Sequence, residues 1–599
     1  MNYSIEETEK KLNEISESFC AAKWSQVLFN LQSGERRSCC LGAAQKIDVG
    51  LIQQDSKYLF NDSVLSDERQ KMLAGEKIAG CYVCWKAEAD GHHSDRHFKS
   101  SADWSHSFFN KENLSLDNVV PTYVEVSFGN KCQMMCTYCS PDNSSSLARE
   151  SKNYGSYRLS IDHNSLSREF ENTFLDENEN HVYAKAFWDW FLKNNQTFKV
   201  MRFTGGEPLI SKWMDKFLDW LQVNSMEQAE LAFNSNLGIP VELMEKFIKK
   251  LKAIPRSHYK KIQFFTSLDG WGEGAELARY GLKLTTFEKN LNLLFESFPD
   301  SLFRFTATLN IFAFPNIKAL FEKVYEYKQR SLYDDQVAIV CYPIYYPDFM
   351  SIAWTKEFNE KHYTETMEFI RSHMVGQKSK YGFFEFEKEY FEKAAVFKES
   401  AEVEKHLIDV FLYLSQFKFR KGTSDAAWPD EVKQIYQRGH DLALKIDLNT
   451  FSAAQWAKTE AWIDDENRKK EIRNYVLSKL VSGDQNLWEI FGIRCDYIRH
   501  FPGQEWPEDW FDSENVRVAG FEMLRHLCQN DLAKNESKYR EKLIRYLPVL
   551  SDQFITYLMT LPVLKQLSWT ELDKEKISNL VKADTSSVQL SLIEMIKKI

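Results

Sequence analysis

The chain has 599 residues, 43% apolar and 27% charged, a composition of folded globular proteins, and its length allows about three or four domains at the usual ~150 residues each. Its net charge of −10 argues against broad nucleic-acid binding, so nucleic acid is not an expected partner. Met1 to Glu17 has no apolar signal core and no window reaches about 18 uninterrupted apolar residues, so a cytoplasmic location without a membrane partner is expected. Eleven cysteines in such a chain read as metal ligands rather than disulfides, and eight of them fall in two clusters before residue 140.

In chain order, Ile5 to Phe19 has helical spacing and leads to Cys20. Ser25 to Leu31 is strand-like and is followed by a turn at Ser33-Gly34-Glu35 and by Cys39-Cys40, which predicts a hairpin with thiols at both ends. Further on, Gly80-Cys81-Tyr-Val-Cys84 has the form of a tight-turn metal knuckle. With Cys20 and one of Cys39 or Cys40 it supplies four thiolates, enough for a closed site holding either an iron–sulfur cluster or zinc. His92, His93 and His97 read as solvated loop histidines, with outer-shell partners or ligands of the metal as the alternative.

The second cluster is Cys132-Gln-Met-Met-Cys136-Thr-Tyr138-Cys139, directly behind the alternating run Val124 to Phe128, which reads as a strand. A structural zinc takes four protein ligands. Three thiols at this spacing suit a cubane cluster with one iron left open, with free or zinc-binding cysteines as the alternative.

From residue 121 strands alternate with helices, which predicts parallel β/α units. Phe187 to Leu192 is a helix face, and Thr197 to Phe203 is a strand ending in Thr204-Gly205-Gly206-Glu207-Pro208, where the backbone can approach a ligand with no Cβ in the way. Further strands are Glu230 to Asn236, Lys261 to Ser267, Leu302 to Asn310 and Gln336 to Tyr342. The basic run Lys246 to Lys261 reads as the solvated face of a helix with Phe247, Ile248 and Leu251 inward, with an RNA-phosphate patch as the alternative. Past residue 435 the pattern is helical at Asp465 to Leu480, Asn486 to Phe501, Ser513 to Cys528, Glu541 to Leu561 and Thr585 to Ile599. The stretches beginning at Ser513 and Thr585 share apolar spacing, as degenerate HEAT-like repeats or as an ordinary bundle would. Cys341, Cys495 and Cys528 stand alone and read as core, although Cys341 near a strand end could relay a radical.

The Cys132/Cys136/Cys139 spacing, Tyr138 before the last thiol and the Gly-Gly-Glu-Pro behind the next strand together resemble the radical S-adenosylmethionine (SAM) enzymes. The run Cys20, Gly34, Cys39-Cys40, Gly80-Cys81, Cys84-Trp85, Glu88 and Gly91 is similar to their auxiliary-cluster module called twitch, related to the SPASM domain. The resemblance implies an α/β fold: a partial (β/α)6 barrel over 118–345, a small cysteine-rich auxiliary-cluster module over 1–112 and a helical extension closing the barrel over 346–434; beyond about residue 435 it stops, and the helical spacing there predicts an all-α domain over 435–599. It implies a 4Fe-4S cluster that binds SAM, and a second 4Fe-4S cluster with zinc as the alternative. It assigns SAM contacts to Tyr138, Gly205, Gly206, Glu207 (toward the amino group), Pro208, Asn234, Asn236, Ser267 and Asp269 (toward the ribose) and Arg279 (toward the carboxylate). Reductive cleavage of SAM to a 5′-deoxyadenosyl radical would then modify a substrate, a peptide or protein before a nucleotide or small metabolite, with flavodoxin or ferredoxin as reductant. A non-catalytic binding platform on the same scaffold is the reading from a different class.

Overall fold

A computed structural model of the chain describes residues 3–165, 181–376 and 381–452 without interruption, then 455–456, 459, 462–481, 540, 544, 559, 568–580 and 585–598. The chain forms two compact units. The first comprises residues 1–152, 164–403 and 424–434, and the second residues 153–163, 404–423 and 435–599.

In chain order the strands are β1 (Gln26–Asn30), β2 (Glu35–Arg37), β3 (Gln45–Lys46), β4 (Tyr123–Ser127), β5 (Met135–Cys136), β6 (Tyr157–Arg158), β7 (Asp162–His163), β8 (Val200–Thr204), β9 (Met226–Ser235), β10 (Tyr259–Ser267), β11 (Arg279–Tyr280), β12 (Leu302–Leu309) and β13 (Val337–Pro343). Nine of them build one sheet in the first unit, in the order β13-β12-β10-β9-β8-β4-β1-β2-β3. From β13 to β1 every pairing is parallel, and β2 and β3 return antiparallel.

β1 and β2 form the expected hairpin, with Asn30 opposite Glu35. The sequence reading did not foresee that β1 also pairs in parallel with β4, Val27 opposite Val124 and Phe29 opposite Val126, so the front segment continues the sheet. The first helix, Ile5–Ile15, stops short of Phe19 because Ser16 takes an extended backbone.

The parallel strands alternate buried with half-exposed residues, most regularly in β4 and β8. Fully buried parallel sheets read as continuous apolar runs, so this alternation means that only one face is packed away. On the packed face Phe203, Phe233, Phe264 and Phe303 lie in register across β8, β9, β10 and β12, with stacked rings at centroid distances of 5.4, 5.8 and 5.4 Å. Each such contact adds roughly 0.5–1.5 kcal/mol beyond the area it buries. The other face carries Tyr123, Glu125, Arg202, Asn234, Ser267 and Thr306.

The β13 edge is sealed rather than left as a template for pairing. Glu387, on the helix Glu385–Ala394, accepts the Ile339 N–H at 2.9 Å and pairs with Lys328 at 2.9 Å, both side chains buried. Within Lys246–Lys261, the helix Val241–Lys252 buries Met244, Phe247, Ile248 and Leu251, while Lys246 and Lys250 pair with Asp215. These lysines sit on a solvated helix face, already engaged by acidic neighbours.

In the second unit the Gln416 amide pairs with both backbone polar groups of Arg158, at 2.9 Å each, and Asp409 accepts the Ser160 N–H at 2.7 Å. The helix Val403–Lys421 thereby holds the β6–β7 ribbon. Among the described residues beyond 435 every regular element is helical, including Glu466–Val481, Glu571–Ser578 and Ser587–Lys598. The helices expected at Asn486 to Phe501 and Ser513 to Cys528, together with Cys495 and Cys528, lie outside the described residues, as does nearly all of Glu541 to Leu561. No helix among the described residues is long and apolar enough to cross a membrane.

Candidate functional site

The three-thiol loop leaves the C-terminal end of β4 and is clamped on two sides. On one side, Gly206 N–H donates to the Gly129 carbonyl at 3.1 Å and Glu207 N–H to the Lys131 carbonyl at 2.7 Å. This approach requires glycine. A Cβ on Gly206 would lie 2.4 Å from the Lys131 carbonyl oxygen, and Gly205 has φ +112° with its Cβ position 2.7 Å from the Gly129 oxygen. On the other side β5 pairs antiparallel with β11, placing Arg279 opposite Cys136, and Thr137 N–H donates to the Ala278 carbonyl at 2.8 Å. Ser145 and Ser146 hydroxyls bond the Cys132 backbone, fixing the loop's third side.

Cys132, Cys136 and Cys139 are half-buried. Burial, with the Cys136 thiolate adding to it, pushes the Cys132 thiol up to about 12. Cys139 is pushed further up by burial and then by the charges of both other thiolates. Asn236 Nδ2 lies 3.7 Å from Cys132 Sγ. The Arg279 guanidinium donates toward Cys136 and favours its thiolate, though burial still raises that thiol overall.

The resemblance gave Asp269 and Arg279 separate tasks; the structure joins them. Arg279 donates to both Asp269 oxygens, at 3.0 and 2.9 Å, and Asp269 also accepts Tyr138 Oη–H at 2.6 Å and Thr308 N–H at 2.9 Å. The Asp269 side chain is 0% exposed, so its lone pairs are used within the protein. Glu207 is likewise buried and accepts N–H groups from Asn236 at 2.8 Å and Leu209 at 3.2 Å. Asn234 accepts from Arg202 Nε at 2.9 Å, and the Ser267 hydroxyl meets Thr306 at 3.3 Å. Beside the loop lies a cavity of about 440 Å³ lined by Gly129, Lys131, Gly206, Glu207, Pro208 and Trp213.

Glu207 supplies a pH test. Burial raises its carboxyl from 4.5 to about 7 against the hydrogen bonds it accepts. The folded chain then holds this proton more tightly than the unfolded one, so the stabilisation is fully present below pH 4.5 and is lost as pH rises through about 7. In metal-free protein the unfolding free energy is expected to fall across that window by roughly 1.4 kcal/mol per pH unit, and Glu207→Gln to flatten that part of a urea-denaturation series.

In the front segment every pair among Cys20, Cys39, Cys81 and Cys84 interacts electrostatically: burial raises the Cys20 thiol most, with the Cys39, Cys81 and Cys84 charges adding to it, and burial raises Cys81 to about 11. Cys40 is exposed and turned toward Asp95, its Sγ 4.0 Å from the carboxylate, with Cys39 the one thiol among its main charged neighbours. By these interactions Cys39, rather than Cys40, goes with the other three. His97 departs from the sequence reading. It is buried at 2% exposure, accepts the Ser94 N–H at 3.2 Å and contacts Arg96, which is locked to Glu88 at 2.9 Å; His92 and His93 are exposed. Cys341 is buried.

Sequence reasoning missed the polar column Tyr123, Glu125 and Arg202, although the alternation of β4 and β8 carries the signal. No protein-family model matches the chain, and no curated protein matches it.

Proposed function

We propose that the chain is a radical SAM enzyme carrying two iron–sulfur clusters. The observation that carries this reading is the three-thiol loop at the mouth of parallel strands, pinned by the Gly-Gly-Glu-Pro turn and by the Arg279 strand. The donor set fits: three half-buried thiols on one clamped loop would hold a four-iron cluster and leave one iron for SAM. Bound there, the pair supplies one-electron cleavage of SAM to methionine and a 5′-deoxyadenosyl radical that removes a substrate hydrogen atom.

The chain's own residues position and tune that site. Arg279, neutralised by Asp269, brings hydrogen-bond donors to Cys136, and the Asn236 amide does the same for Cys132; such donors to ligating sulfur raise a cluster's potential. Glu207 sets the turn that keeps the backbone of 205–207 against the loop, and Tyr138 ties the loop to β10 through Asp269. Cys20, Cys39, Cys81 and Cys84 would hold the second cluster. Zinc on the same four thiolates is the alternative.

We read the sheet as the wall of a partial (β/α)6 barrel. Its curvature is supported by Tyr342 on β13, which interacts electrostatically with Arg202 on β8. In a flat sheet their backbones would lie roughly 19 Å apart at ~4.8 Å per strand, a gap that curvature shortens. The substrate class that the auxiliary-cluster resemblance implies is a peptide or protein, with flavodoxin or ferredoxin as electron donor. Anaerobically reconstituted protein given SAM and dithionite is expected to release 5′-deoxyadenosine and methionine; fully loaded clusters that yield neither would contradict the proposal.

A further inference from the structure

The unpacked face of the sheet holds two cations whose hydrogen-bonding capacity is not used up. Arg202, on β8, is fixed by neutral groups. Its Nε donates to Asn234 Oδ1 at 2.9 Å, its Nη1 to Tyr123 Oη at 3.3 Å, and its guanidinium lies 3.9 Å from the Phe265 ring centroid. Glu125, directly opposite on β4, stays 3.8 Å away, outside hydrogen-bond reach. Among the described residues Nη2 has no hydrogen-bond partner.

Lys99, on the helix Asp95–Ser101, interacts electrostatically with Arg202 and Tyr123. It is half-buried, with Asp95, Cys40, Tyr123 and Arg202 as its charged and titratable neighbours, and among the described residues its Nζ makes no hydrogen bond. Half-buried charged groups with donor capacity left over favour a further acceptor, and an anion that reaches both would supply it. Tyr123, Phe265 and Tyr342 add aromatic walls beside them.

The charge balance selects the anion. Asp95 and Glu125 stand near Lys99 and Arg202, so a singly charged anion meets less repulsion there than a phosphate dianion would. We propose that Lys99 and Arg202 together bind a carboxylate group of the substrate on the polar face of the sheet, with the substrate's apolar body against Tyr123, Phe265 and Tyr342. The proposal rests on the radical SAM reading only in calling the ligand a substrate.

Calorimetric titration of the full-length protein tests it, with phenylacetate against phenylacetamide, the tripeptide Gly-Gly-Phe with a free or amidated C-terminus, and inorganic phosphate as probes. At least one acid is expected to bind about tenfold or more tightly than its amide, and Lys99→Met and Arg202→Gln each to remove that preference, with Arg202→Lys restoring part of it. Lys99 is partly exposed, so Lys99→Met keeps the test sound if Arg202→Gln fails to fold. Binding confined to the peptide assigns the carboxylate to a peptide, and binding of phenylacetate with equal strength assigns it to a small acid; either supports the site. Equal binding of acids and amides, unchanged binding by both variants, or tighter binding of phosphate would overturn it. Carboxylate binding without deoxyadenosine formation would sink the enzyme reading alone, and deoxyadenosine formation without carboxylate preference would sink this proposal alone.

Discussion

Asp269→Ala is expected to lower the stability of the protein by roughly 3–5 kcal/mol, measured by urea denaturation at neutral pH, because it strands a buried charge. Arg279 is buried, and its fork is aimed at Asp269 through two bonds of 2.9–3.0 Å. Removing the carboxylate leaves that guanidinium, the Tyr138 hydroxyl and the Thr308 N–H without their shared acceptor. The pair itself has little net worth, since both ions were taken out of water to form it. Asp269→Leu combined with Arg279→Met is therefore expected to recover most of the lost stability. The double variant would still lack the donors toward Cys136, so recovered stability without recovered iron binding would separate the network's structural role from its tuning role. A loss below about 1 kcal/mol for Asp269→Ala would mean that water reaches the site.

The second large effect distinguishes adjacent thiols. Cys39→Ala is expected to reduce iron in reconstituted protein from about eight to about four per chain, because Cys39 interacts with Cys20, Cys81 and Cys84 and closes the four-thiolate set. Cys40→Ala is expected to leave iron unchanged, since Cys40 is exposed and faces Asp95. Iron and acid-labile sulfide analysis of the two variants side by side gives the answer. A loss in Cys40→Ala equal to that in Cys39→Ala would show that the loop rearranges to use both.

Local features of this fold were legible in the sequence. The alternation Val124 to Phe128, the hairpin around Gly34 and the strand ahead of Gly205 each follow from residues within a turn or two of one another. Long-range pairing was not. Nothing near Val27 announces that it pairs with Val124, because parallel register is set by packing between distant segments. The same limit hid the Asp269–Arg279–Tyr138 network, whose members lie on three segments and whose separate polar side chains look like separate ligand contacts. His97 looked like a solvated histidine because it ends the polar run Gly91-His-His-Ser-Asp-Arg-His, whereas it is buried in contact with Arg96, which pairs with Glu88. The choice between Cys39 and Cys40 turns on which thiol lies near Cys20, Cys81 and Cys84, which spacing alone does not encode.

The measurement that tests the account most directly is iron and acid-labile sulfide in anaerobically reconstituted wild type, beside a variant with Cys132, Cys136 and Cys139 all replaced by alanine. The account predicts about eight irons in the wild type and about four in the variant, the remaining four held by the front thiols, with deoxyadenosine formation lost. A wild type that takes up no iron under these conditions, or a triple variant that keeps all of it, would contradict the account.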